Sequence, residues 1–93
     1  MTIKTTKFDA SEYLETEEDI KMFLEEAATG TSAEFIKALS IAAKARGMAG
    51  VASEAGVSRE SLYRSLSSDG NPLFDTVNKI VHSFGCKITV TPI

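Results

Sequence analysis

The stretch from Met48 to Leu66, MAGVASEAGVSRESLYRSL, constrains the fold of this chain more than any other. Val51, Ala52 and Ala55 repeat at helical spacing before Gly56, and Leu62 and Leu66 stand four apart after it. That pattern predicts two short helices joined by a tight bend, with Val57 filling the corner. Gly56 falls where the chain must turn left-handed, a conformation glycine adopts without steric cost. Ser58 is placed to cap the second helix, its hydroxyl accepting an otherwise orphaned backbone N–H. Ala52 matters by its smallness, because a larger side chain at the crossing would force the helices apart.

Two helices bent around a glycine-containing turn form the helix-turn-helix arrangement, whose second helix enters the DNA major groove. The order of Ala52, Gly56, Val57, Ser58 and Leu62 resembles that of phage-repressor-like regulators. The alternative is a plain helical hairpin inside an all-α core. The outer face of the second helix favours the first reading: Ser58, Arg59, Ser61, Tyr63, Arg64 and Ser65 are all hydrogen-bonding residues. On that reading Ser58, Arg59, Glu60 and Ser61 lie nearest the base edges. Arg59 and Arg64 are suited to bidentate contact with guanine or to phosphate. Tyr63 would meet a phosphate or a thymine methyl, or else pack in the core beside Leu62. At the start of the first helix, a backbone N–H of Met48 or Ala49 is placed for a phosphate.

The expected architecture is a single all-α domain over residues 1–93, with five helices of repressor-like type and one short C-terminal strand. Residues 1–10 show no periodicity and read as an arm carrying two isolated large apolar residues, Ile3 and Phe8. Thr16 is a good N-cap, with Glu17, Glu18 and Asp19 at the positive end of the following helix dipole. Ile20, Phe23, Leu24 and Ala27 then make a buried stripe, and Gly30 ends it. Thr31 and Glu34 form a second capping signature. Phe35, Ile36, Leu39, Ala42 and Ala43 follow as a buried stripe, with Lys44 and Arg46 near the helix end and Gly47 as its stop. Ser67 to Pro72 is a loop by its composition. The last helix is expected from Phe74 to Phe84, burying Phe74, Val77, Ile80, Val81 and Phe84, with Gly85 as cap. Residues 86–91 alternate and are rich in β-branched side chains, which predicts a strand. A lone strand needs a partner: the N-terminal arm, a second copy of the chain or a strand of another protein. An antiparallel pair through Ile88 and Val90 across a two-fold axis is the simplest device for joining two copies.

Charge is divided along the chain, whose formal net charge is -3. Residues 1–34 carry nine carboxylates against three lysines, whereas residues 35–93 carry seven lysines and arginines against four carboxylates. Such asymmetry suggests two partners of opposite charge, or an acidic part that only solubilises. No apolar run approaches the ~20 residues that span a bilayer, and the start lacks the apolar core of an export signal. Cys86 is the one cysteine and closes no intrachain disulfide, which fits a cytoplasmic setting. His82, the one histidine, has no second ligand at metal spacing and reads as a surface residue. No nucleophile–base pair or phosphate-cradling glycine loop is visible, so neither an enzyme, a cofactor, a metal nor a small-molecule substrate is expected.

From about Ser11 to Val90 the chain resembles the short HigA-like antitoxins, the addiction module antidote proteins. The matching stretches are EYLETEEDIKMFLEEA, then AAKARGMAGVASEAGVSRESLYRSLSSDGNP, then FGCKITV. The resemblance implies a bacterial protein that neutralises a small RelE/ParE/HigB-like toxin and represses its own operon by binding operator DNA. So few basic residues predict weak binding by one copy, which a homodimer on two half-sites would repair. It would be cytoplasmic, and nucleoid-associated when bound to DNA. Toxins of that class are typically basic, which suits the acidic N-terminal part, where Ile3, Phe8, Tyr13 and Leu14 are the candidate anchors. A departure from the wider repressor pattern lies at Met48 and Ala49, where many repressors carry a polar phosphate clamp. The backbone N–H remains for that contact. A stand-alone phage-repressor-type regulator is the alternative, and a protein-interaction module without DNA binding is a third reading.

Overall fold

The computed structural model describes residues 14–67 and 69–93. Five helices form among them: α1 (Glu17–Ala27), α2 (Ser32–Arg46), α3 (Met48–Ala55), α4 (Arg59–Ser65) and α5 (Phe74–Ser83). The first two begin as their local chemistry dictates. Thr16 Oγ1 accepts from the Asp19 N–H at 3.0 Å while the Asp19 carboxylate accepts from the Thr16 N–H. Thr31 and Glu34 repeat the exchange at α2, so at each helix start one threonine and one acid satisfy two backbone donors.

α3 is the hub: it packs on α2, α4 and α5, while α1 lies on α2. Val51 of α3 is fully buried, as are Leu39 of α2, Leu62 of α4, Ile80 of α5 and Phe84 just beyond it. Alanines 38, 42 and 43 line the buried side of α2, and small side chains there let neighbouring helices approach closely. Gly47 ends α2 and starts α3 in a single residue, with φ at 108°, a value that disfavours any residue with a Cβ. The two helices can therefore change direction without a connecting loop.

Arg46, at the end of α2, ties four elements together. Its Nη1 donates to the Ser83 carbonyl at 2.9 Å and lies 3.3 Å from the Glu17 carboxylate. Its Nη2 is 3.5 Å from Glu54, and the guanidinium carbon stands 5.7 Å from the centre of the Phe84 ring. α1, α3 and α5 are thus all anchored to the last residue of α2.

Four expectations are corrected. Residues 86–91 form no strand; among the described residues they find no ladder, and alternation alone cannot satisfy a strand's backbone groups. Ile88 and Val90 consequently remain exposed, Val90 almost completely. Phe74 is 68% exposed and is not part of the buried stripe of α5. It is the first residue of that helix, a full turn ahead of where the helix meets the body. Phe84 lies just past the last turn instead of inside it, yet is 1% exposed. On α2, Phe35 and Ile36 are only half-buried, packed against the edge of the core.

Candidate nucleic-acid interface

The bend between α3 and α4 is built by Gly56, Val57 and Ser58. Gly56 has φ 75° and ψ 30°, the left-handed conformation, which lets its N–H reach the end of α3. Val57 then folds back, donating its N–H to the Ala52 carbonyl at 3.0 Å and packing its half-buried side chain on the core. Ser58 adopts an extended conformation, and its Oγ accepts from the Ser61 N–H at 3.0 Å. This cap satisfies one of the free backbone donors at the start of the seven-residue α4. Ser58→Ala is expected to lower stability by about 1 kcal/mol, read as a fall in the urea midpoint at unchanged slope.

α4 has two distinct sides. Leu62 is completely buried and Leu66, at the C-cap, is 5% exposed. Ser61 and Ser65 are half-buried flanks, while Ser58, Arg59, Glu60, Tyr63 and Arg64 all face solvent. Burial of two leucines one turn apart fixes the rotation of the helix, and hence which side chains point outward. Tyr63 is 46% exposed and does not join Leu62 in the core. Its ring lies beside the Arg59 guanidinium, 5.7 Å from centre to carbon, as their i, i+4 spacing permits. Neither Arg59 nor Arg64 takes part in a salt bridge between described residues.

At the start of α3 the two named positions separate. Met48 is 8% exposed and its side chain belongs to the core, whereas Ala49 is exposed. Gly47, the residue before α3, provides no side chain to cap the first N–H groups of that helix. A buried methionine at this corner offers an outside ligand only its backbone.

Of the other candidate positions, Leu14 is half-buried against the core, and Ile3, Phe8 and Tyr13 lie outside the described residues. His82 is exposed and Cys86 is a half-buried free thiol. No helix among the described residues is long and apolar enough to cross a membrane. Sequence reasoning passed over Arg46 as a crosslink, reading it as a charge favourable at a helix C-terminus. It also missed the exposed pair Leu73 and Phe74, at 75% and 68%. Leucine and phenylalanine after a proline loop carry no local mark of exposure.

Comparison with known proteins places these features in a family. The family model described as "Probable addiction module antidote protein" matches residues 4–92. A Haemophilus influenzae protein, described as uncharacterized, is 41% identical over 91 residues, covering 97% of this chain and 94% of that one. No solved structure matches the chain. An antidote of this kind implies a toxin as partner. With a match running through almost the whole sequence, the chain belongs to the addiction module antidote family.

Proposed function

We propose that this antidote is the HigA-like antitoxin of a type II toxin–antitoxin module, and that it also represses its own operon through α4. The observation that carries the DNA reading is the outward face of α4. Arg59 and Arg64 stand in solvent on a helix whose opposite side is locked by Leu62. With α4 in the major groove, Ser58, Arg59, Glu60 and Ser61 approach base edges, and Arg59 or Arg64 pairs with guanine or a phosphate. Met48 and Ala49 offer backbone N–H groups to a phosphate at the start of α3. Few cations line this surface, so a homodimer on two half-sites provides the affinity that one copy lacks.

The toxin of this reading is a basic, RelE/ParE/HigB-like protein held by the acidic N-terminal part, with Ile3, Phe8, Tyr13 and Leu14 as apolar anchors. The antidote works by occupying partners, without a cofactor, a metal or chemistry of its own, in the cytoplasm. A basic open reading frame beside the gene separates this reading from a stand-alone regulator.

Gel shifts on the chain's own promoter test the DNA step. Arg59→Ala and Arg64→Ala are each expected to weaken binding by about 1–3 kcal/mol, roughly five- to 150-fold, with thermal unfolding unchanged. Wild-type affinity in both variants removes α4 as the recognition helix.

A further inference from the structure

Gly70 has no positive φ, unlike Gly47, Gly56 and Gly85, so its conformation gives no reason for a glycine there. The reason is what it lies against. A Cβ on Gly70 would stand 2.5 Å from the Arg64 carbonyl oxygen and 2.6 Å from that of Ser65. Both are backbone atoms at the end of α4, and they cannot swing aside as the tip of a side chain can.

The Arg64 carbonyl is also held from a second direction. Ser67 donates to it through Oγ at 2.9 Å and through its N–H at 3.4 Å. The Gly70 N–H donates in turn to the Ser67 carbonyl at 2.9 Å, which folds the chain back on the helix end. Carbonyls in a last turn have no partner within their own helix. Here one of them is tied down, and it belongs to a residue whose side chain stands in solvent.

That attachment matters because α4 has only seven residues and Arg64 is in its last turn. Short helices fray at their ends. The direction in which a side chain leaves a helix follows the local backbone. Fraying at this end would therefore scatter the Arg64 guanidinium even while Leu62 stays buried. Arg59 lies at the opposite end, next to the Ser58 cap, and is out of reach of this effect.

We propose that Ser67 and Gly70 clamp the end of α4, and that Gly70 is thereby a positioning residue for Arg64 in DNA recognition. Its role rests on the DNA reading given above, whereas the clamp itself is measurable on the free chain. Any side chain at position 70 pushes the chain off the Arg64 and Ser65 carbonyls. Binding must then order what the clamp holds in advance.

Fluorescence anisotropy titration of the chain's own promoter fragment, arranged as a double-mutant cycle, tests this. Gly70→Ala is expected to weaken binding by about three- to tenfold, the scale of ordering one long side chain. In the Arg59→Ala background the same loss recurs. In the Arg64→Ala background it disappears, because the group being positioned is gone. A glycine that served only the fold would cost the same in all three backgrounds, and that result overturns the proposal. Amide hydrogen exchange without DNA reads the clamp: Leu66 and Ser67 are expected to exchange severalfold faster in Gly70→Ala. Unchanged exchange overturns the clamp. Faster exchange with wild-type affinity removes the role in recognition and leaves the DNA reading standing. A wild type that does not bind the promoter removes that reading, and this role with it. Circular dichroism melting checks the fold. Should Gly70→Ala melt early, Ser67→Ala takes its place in the cycle, since it frees the same carbonyl without a clash; no coupling to Arg64 there overturns the proposal.

Discussion

Phe84→Ala is expected to lower the unfolding free energy by about 3–5 kcal/mol, and the melting temperature by on the order of 20 °C. The ring is 1% exposed, sits directly after α5 and meets the Arg46 guanidinium at 5.7 Å. Truncation removes the transfer free energy of an aromatic side chain and leaves a cavity that α3 and α5 cannot close without losing Val51 and Ile80 packing. A domain of this size holds roughly 5–15 kcal/mol in all, so the variant is marginal at physiological temperature. Phe74→Ala is the matched control. The same chemical change on a side chain 68% exposed should move stability by less than ~0.5 kcal/mol. Similar losses in the two variants would refute the placement of both rings.

Arg46→Ala is expected to cost about 2–4 kcal/mol, most of it from one contact. The hydrogen bond to the Ser83 carbonyl is charge-assisted and partly buried, and removing its donor leaves an acceptor facing a void. The packing of the guanidinium against Phe84 is lost with it. The two carboxylate partners contribute less. Glu17 and Glu54 keep more than half of their side-chain surface in water, at 57% and 55%, so Glu17→Gln and Glu54→Gln should each cost under ~1 kcal/mol. Arg46→Lys should fall between, since an ammonium keeps the charge but not the planar fork that serves several acceptors at once. Denaturant melts of the four variants check the ranking. An Arg46→Ala variant no less stable than Glu17→Gln would reduce the residue to a surface charge.

Local chemistry was legible in the sequence, and long-range contact was not. Thr16 with Asp19, Thr31 with Glu34, Ser58 with Ser61 and the left-handed Gly56 each act within a few residues, so their roles follow from spacing. Val51, Ala52, Ala55, Leu62 and Leu66 could be assigned because helical periodicity states which face is inward. Phe74 obeyed that same periodicity and is nevertheless exposed, because position along the helix decides whether a residue reaches the body. Residues 86–91 have the composition of a strand, but a strand exists only with a ladder partner, which alternation in one segment cannot supply. Arg46 was read for its charge at a helix end, while its contacts with Ser83 and Phe84 lie more than thirty-five positions away in the chain. On α4 the outward direction of Arg59 and Arg64 was legible, since Leu62 and Leu66 leave no other side for them.

α4 is two turns long, far below the roughly 12–15 residues an isolated helix needs to persist in water. Its shape is therefore on loan from the socket that receives Leu62, and a peptide cut from residues 48–66 would be a fluctuating coil. Changes deep in that socket will alter the angle at which the arginines are presented while every exposed residue stays the same. Variation that changes the surface this helix presents need not occur on the helix at all.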